Sequence, residues 1–176
     1  ATPQWFISLS HDNLRGRALD EIKRTRWIPP WGENRITGMI EHRPDWCLSR
    51  QRVWGVPIPV LFCATCDKEH LDADAVEHAA RLFEEEGADA WFARPAAELA
   101  PPGTRCGACG GDSFKKEENI VDVWFESGVS WYAVCANDPT LGTPIDLYLE
   151  GSDQHRGWFH SSLLAGIGVA GKAPFK

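Results

Sequence analysis

The sequence has little positive charge to spare. Its 18 lysines and arginines are outnumbered by 25 aspartates and glutamates, leaving a net charge of −7. That balance excludes a surface that holds nucleic acid by bulk electrostatics. Local basic clusters remain, Arg43 with Arg50 and Arg52, and Lys23 with Arg24 and Arg26; the second reads as a solvated face. No apolar run is long enough to span a bilayer. No basic segment followed by an apolar one opens the chain, so nothing points to secretion. An initiator methionine is missing, and the abrupt ends, ATPQWFISL and APFK, are expected to lie within something longer. Internal repeats and low-complexity tracts are missing too.

What is present is ordinary in bulk and unusual in detail. A chain of 176 residues that is 43% hydrophobic can build one domain with a core, or one domain carrying an insertion. Nine tryptophans are many for this length. Several stand beside polar motifs, so pocket and core readings are both open for them.

Leu14, Ala18 and Ile22 recur every fourth residue and predict a helix over 13–26, with Asp12 or Asn13 as its cap. Pro29, Pro30 and Gly32 make 27–38 a loop, and Pro44-Asp45 is a candidate helix opening. GVPIPVLF, 55–62, reads as extended, its prolines opposing a central strand before Val60. An acidic helix follows, with Val76, Ala79, Ala80 and Phe83 as its buried face and Gly87 as its stop. A strand over Ile120–Phe125, a strand through Ile145, Leu147 and Leu149, and a helix from about Asp153 to Val169 complete the expectation. Trp158, Leu163 and Ile167 are placed to pack that last helix.

Cys63-x-x-Cys66 and Cys106-x-x-Cys109 bracket the acidic helix. Two such pairs are the usual supply of four thiolates to one tetrahedral zinc, which with no open position is structural. A disulfide framework or a redox pair competes, but nothing else indicates an oxidising compartment. Cys47 and Cys135 are unpaired and read as small buried hydrophobes. The expected organisation is a segment 1–62, a zinc-binding insertion 63–119, and a strand–turn–helix segment 120–176.

The densest polar stretch is DLYLEGSDQHRGWF, 146–159. In open α/β sheets ligands bind beyond the carboxyl ends of strands, where the chain turns into a helix. Glu150 would stand at that rim, able to accept from both hydroxyls of a ribose. Gly151 lets backbone approach a ligand. Asp153 serves equally as a first-turn residue or a ligand contact, and Gln154 offers a donor and an acceptor to a polar substrate group. His155 could act as acid, base or phosphate donor, or be merely hydrogen-bonded.

The strings DWCLSRQRVWGVPIPV, VDVWFESGVSWYAV and DLYLEGSDQHRGWF, with QWFISL and ENRITGMIEHRPDW, closely resemble isoleucyl-tRNA synthetase over nearly the whole chain. The resemblance implies part of an α/β, Rossmann-type class I synthetase catalytic domain carrying the small zinc-binding subdomain. It implies isoleucine, ATP with Mg, and tRNA as partners of a cytoplasmic parent enzyme, and neither DNA nor membrane. It places Glu150, Gly151, Asp153 and Gln154 at the adenylate, and Trp124 and Trp158 as walls of the isoleucine side-chain pocket. Arg50, Gln51 and Trp54 belong to a matched motif without an assigned contact. The HIGH and KMSKS signatures that handle ATP phosphates in this class are not in the sequence. This chain alone is therefore expected to be inactive. The competing reading is a non-catalytic zinc-containing module for RNA or protein. The absent signatures favour it, and the retained pocket residues oppose it.

Overall fold

The computed structural model describes residues 2–176. They form two compact units: one from the chain start to Leu48 together with Asp122–Lys176, the other Ser49–Val121.

The first unit is mainly helical. Strand β1 (Phe6–Ile7) pairs antiparallel with β2 (Trp46–Cys47). Helix α1 (Leu14–Arg24) buries Leu14, Ala18 and Ile22, the expected stripe. Asn13 is its cap residue but makes no side-chain capping bond, while Asp12 pairs instead with Arg17. Residues 27–38, expected to be a loop, contribute most of helix α2 (Trp31–Glu41). The prolines misled because they precede the helix: Pro30 stands at its cap, where a fixed φ and a missing N–H are harmless. Gly32, Ile36 and Ile40 then form its buried face. A Cβ on Gly32 would come within 2.9 Å of His155 Nε2, so this glycine marks close packing rather than a turn.

Pro44-Asp45 opens no helix. The Asp45 carboxylate accepts from the Leu9 amide at 2.8 Å, which fixes the chain in extended form ahead of β2. The strand expected over Ile120–Phe125 stops at Val121, and helix α6 (Val123–Gly128) begins at once. Asp122 ends the strand because its Oδ1 accepts from the Trp124 amide at 3.2 Å, an N-cap bond. The expected strand through Ile145, Leu147 and Leu149 is reduced to one parallel bridge, Ile145 to Phe175. A strand exists only where a neighbour takes its hydrogen bonds. Among the described residues that neighbour reaches Ile145 alone, and Leu147 and Leu149 stand 64% and 81% exposed. The last helix is also interrupted. Ser152–Arg156 is a 3₁₀ turn, Gly157 breaks it, and helix α7 (Trp158–Ala170) follows.

Helices α1, α2 and α7 enclose the core, in which Leu9, Ile22, Ile36, Ile40, Leu163 and Ile167 are fully buried. Two arginines of α1 satisfy the carbonyl ends of its neighbours: Arg15 donates to Ile40 O at 2.7 Å, and Arg17 to Ile167 O at 3.0 Å. Helices α6 and α7 approach backbone to backbone, since a Cβ on Gly128 would lie 2.9 Å from the main-chain carbonyl of Ser161.

The second unit starts with β3 (Ser49–Arg50), antiparallel to β7 (Ile120–Val121). That pairing brings residues 49–62, assigned from sequence to the preceding segment, into the cysteine-bearing unit. Between them lies a sheet in the order β5 (Glu69–His70), β4 (Leu61–Cys63), β6 (Phe114–Lys116), all antiparallel. The central strand begins after the prolines, as their missing N–H groups require. Helix α3 (Ala73–Glu86) is capped by Asp72 and ends at Gly87, whose φ of 84° suits glycine. Its packed face is Ala75, Ala79, Leu82 and Phe83; Val76 and Ala80 are exposed, a one-residue rotation from the expected stripe. Short helices α4 (Ala90–Ala93) and α5 (Ala96–Leu99) supply Trp91 and Leu99 to a small core with Leu61, Ala79 and Phe114. Lys116 donates to the carbonyls of Trp91, Phe92 and Arg94, closing the end of α4.

Candidate functional site

The six residues expected at the adenylate all lie in the first unit. Glu150 and Gly151 are exposed, on the irregular stretch before the 3₁₀ turn rather than at a strand end. Gln154 is fixed by two bonds. Its Oε1 accepts from the Trp158 amide at 2.8 Å, and its Nε2 donates to Asp153 Oδ2 at 2.9 Å. The amide oxygen therefore satisfies an orphan donor at the start of α7, where Gly157 has no side chain to offer. Asp153 orients Gln154 rather than capping the helix.

Trp124 lies in the first turn of α6, not at the end of a strand, and is 42% exposed. Gly157 carries its edge: an added Cβ would lie 3.0 Å from Trp124 Cη2 and 2.4 Å from Gln154 Oε1. Trp158 is 4% exposed and belongs to the core. Tyr148 stacks on its ring at 3.7 Å with an interplanar angle of 6°, and its Nε1 donates to Ser130 Oγ at 2.9 Å. The Tyr148 hydroxyl is raised above its ordinary pKa by burial and then by the nearby Glu150 charge. His155 is buried, its Nδ1 2.8 Å from Ser152 O and its ring beside Trp27 and Trp31. Its Nε2 is buried without a hydrogen-bond partner.

The sequence reading missed Asp122, Gly157 and Tyr148. Asp122 is buried and links two elements: besides capping α6, its Oδ2 accepts from Trp46 Nε1 at 2.9 Å. Its signal was the Asp directly after an apolar pair, a helix-start pattern.

In the second unit the sulfurs of Cys63, Cys66, Cys106 and Cys109 lie within 4.8 Å of one another. Cys63 and Cys109 are 3.5 Å apart, Cys66 and Cys106 3.6 Å. Zn–S bonds of about 2.3 Å in a tetrahedron put sulfurs about 3.8 Å apart, whereas a disulfide needs about 2.05 Å. The spacing fits a shared cation. Two loops with one hydrogen-bond pattern build the cluster. Cys63 N donates to Lys68 O at 2.9 Å and Asp67 N to Cys63 O at 2.9 Å. Likewise Cys106 N donates to Gly111 O at 2.8 Å and Gly110 N to Cys106 O at 2.8 Å. The fifth position of each loop is left-handed, Asp67 at φ 56° and Gly110 at φ 75°. Gly107 has ordinary φ and open space around it.

The backbone N–H groups of Thr65 and Cys66 draw the Cys63 thiol down to about 6. Those of Cys109 and Ala108 lower Cys106. Cys66 is pushed up to about 12: the Lys68 N–H draws it down, but Cys109 and the other two thiols outweigh it. Cys109 is likewise raised despite the Gly111 N–H. Four thiolates cannot gather here without a cation to offset them. Cys47 and Cys135 are half-buried, and the Cys47 sulfur sits 3.9 Å from Gln4 Oε1.

A concavity of about 710 Å³ also lies in the second unit, against Arg94, Pro101, Arg105 and Asp112. Its arginines are engaged already: Arg94 with Glu86 and Glu98, Arg105 with Gly110 O. It carries none of the expected site residues. No described helix is long and apolar enough to cross a membrane.

The family model for class I tRNA synthetases (I, L, M and V) matches residues 1–176, and the chain belongs to that family. Within it the chain is 57% identical over 176 residues to the isoleucine–tRNA ligase of Geobacter sulfurreducens and 56% identical over 176 to that of Syntrophotalea carbinolica. It is 56% identical over 184 aligned positions to the isoleucine–tRNA ligase of Persephonella marina. These matches cover 99–100% of this chain but 19% of each relative.

Proposed function

We propose that this chain is part of the catalytic domain of an isoleucine–tRNA ligase, which activates isoleucine with ATP and Mg and passes it to its tRNA in the cytoplasm. The observation that carries the reading is the 57% identity to such an enzyme across all 176 residues. The Ser49–Val121 unit is then a zinc-bearing insertion in a Rossmann-type domain, with Cys63, Cys66, Cys106 and Cys109 holding one structural zinc. The Ile145 bridge is the seed of a strand that lengthens through Leu147 and Leu149 when a neighbouring strand is supplied. Glu150 then stands at the end of that strand and takes the ribose hydroxyls of the adenylate. Gly151 admits the nucleotide, and Asp153 holds Gln154 toward the polar end of the amino acid. Trp124 and Trp158 wall the side-chain pocket. Tyr148 covers Trp158, so on this reading it yields when substrate is seated.

Isoleucine-dependent ATP–pyrophosphate exchange by a longer protein bearing this chain is the test. Glu150→Gln should lower it by ~1.5–3 kcal/mol, roughly tenfold to a hundredfold, with the isoleucine-to-valine ratio preserved. The 176-residue chain alone should show none, because phosphate neutralisation is the main catalytic lever and its signatures are not encoded in it. Exchange unaffected by Glu150→Gln, or absent from the longer protein, removes the reading and leaves the non-catalytic module.

A further inference from the structure

Beside Trp124, in the first unit, lies a second cavity of about 30 Å³, lined by Arg43, Trp46, Asp122, Trp124, Arg156 and His160. Of its lining, only Trp124 has a role in the reading proposed above. Two buried nitrogens of its lining, Arg43 Nε and His160 Nε2, have no hydrogen-bond partner. His160 is 3% exposed, so water at the surface does not satisfy it. Buried donors are almost always paired in folded proteins, and two orphans on one cavity indicate something in it.

Its chemistry follows from the inventory of donors and acceptors. The single carboxylate, Asp122, already accepts from Trp46 Nε1 and from the Trp124 amide. The Ser161 hydroxyl is turned toward its own helix, to Gly157 O at 3.2 Å. Facing them are two guanidinium groups and the imidazole. Arg43 is lowered from its ordinary pKa by burial, with Asp122 opposing the shift and Arg156 adding to it. Burial first, then the fields of Arg43 and Arg156, push His160 down to about 3, so the ring is neutral and offers one N–H. Donors and positive charge are both in excess. Water would accept a hydrogen bond but leave the charge. Two guanidinium groups against one carboxylate leave a single positive charge, which a monovalent anion balances.

We infer that this cavity binds one small monovalent inorganic anion, chloride in ordinary solution, through the Arg43 and Arg156 guanidinium groups and the His160 ring. The anion balances two arginines that would otherwise repel. It also braces the wall formed by Asp122 and Trp124, so its occupancy fixes the tryptophan from behind.

Bromide replaces chloride and scatters anomalously. Crystals of the protein soaked in bromide should show an anomalous peak in the cavity, within hydrogen-bond distance of His160 Nε2 and Arg43 Nε. In solution, exchanging gluconate for chloride at constant ionic strength should raise the thermal midpoint by roughly 2–4 °C once chloride exceeds its dissociation constant several-fold. Arg156→Gln, an exposed position expected to fold normally, should abolish that rise, and Arg43→Gln should do the same. Water density in the cavity, bromide only elsewhere, or a chloride effect that survives Arg156→Gln overturns the inference.

Discussion

The two units reach order by different routes. The first buries a continuous aliphatic and aromatic core between α1, α2 and α7, and its charged side chains serve mainly to close helix ends. The second has a core of five buried side chains, strands of two or three residues, and four sulfurs drawn together at one point. A small apolar core stabilises little on its own. The comparison teaches that one chain can be organised by buried area in one place and by a cluster of four sulfurs in another.

The sharpest way to break the contrast is to remove the zinc proposed for that cluster. Chelation, or Cys106→Ser, should unfold Ser49–Val121 while leaving the α7 core protected. Apparent binding energies for structural zinc in small domains are on the order of 10 kcal/mol. Hydrogen exchange measured residue by residue, with elemental analysis for zinc, checks both halves of the statement. Equal loss of protection in both units would show that the first also depends on the metal.

The converse attack is on area. Ile167→Ala removes a fully buried side chain from the first core and should cost about 2–5 kcal/mol in urea unfolding. Zinc content should not change. A third experiment uses acid. His160 has a folded pKa of about 3, below the ordinary value of 6.5. Between these values the unfolded chain binds the proton and the folded one does not, so stability rises with pH across that window and falls as acid is added. His160→Gln should flatten the slope between about pH 6.5 and 3, by up to a few kcal/mol over the interval. Following α7 amides by exchange separates this from acid release of zinc by the cysteines.

The smallest expected effect sits in the cysteine loops. Gly110→Ala forces a Cβ into left-handed backbone and should cost about 1–2 kcal/mol. Asp67→Gly at the equivalent position should relieve strain and be neutral or slightly stabilising. Thermal midpoints of the zinc-loaded protein decide the pair; equal and opposite shifts are not expected, since aspartate tolerates this region better than alanine.

Legibility from sequence followed the same divide between local and non-local causes. Helix α1, the Gly87 stop and the four cysteines could be read because each signal is complete within a few residues. Helix α2 was lost because two prolines look alike whether they break a helix or precede one; burial of Ile36 and Ile40 against α1 and α7 decides. Trp124 was put on a strand because Val121, Val123 and Phe125 alternate. Asp122, bonded to Trp46 far away in sequence, wins over that alternation. Of the site, residue types were legible and relations were not. Nothing local shows that Gln154 is tied to Trp158, that Gly157 carries the edge of Trp124, or that Tyr148 lies flat on Trp158.

The matched loops at Cys63 and Cys106 bear on which metals the protein will accept. Each loop is held by the same pair of backbone hydrogen bonds, and each of its sulfurs lies 3.5 or 3.6 Å from one of the other loop. Copper(II) and nickel(II) bind many sites more avidly than their neighbours in the first transition row, but they prefer square arrangements. Flattening this cluster would strain the backbone hydrogen bonds that shape both loops at once. If the cluster holds a metal as proposed, discrimination against those ions would come from the backbone as well as from the sulfurs.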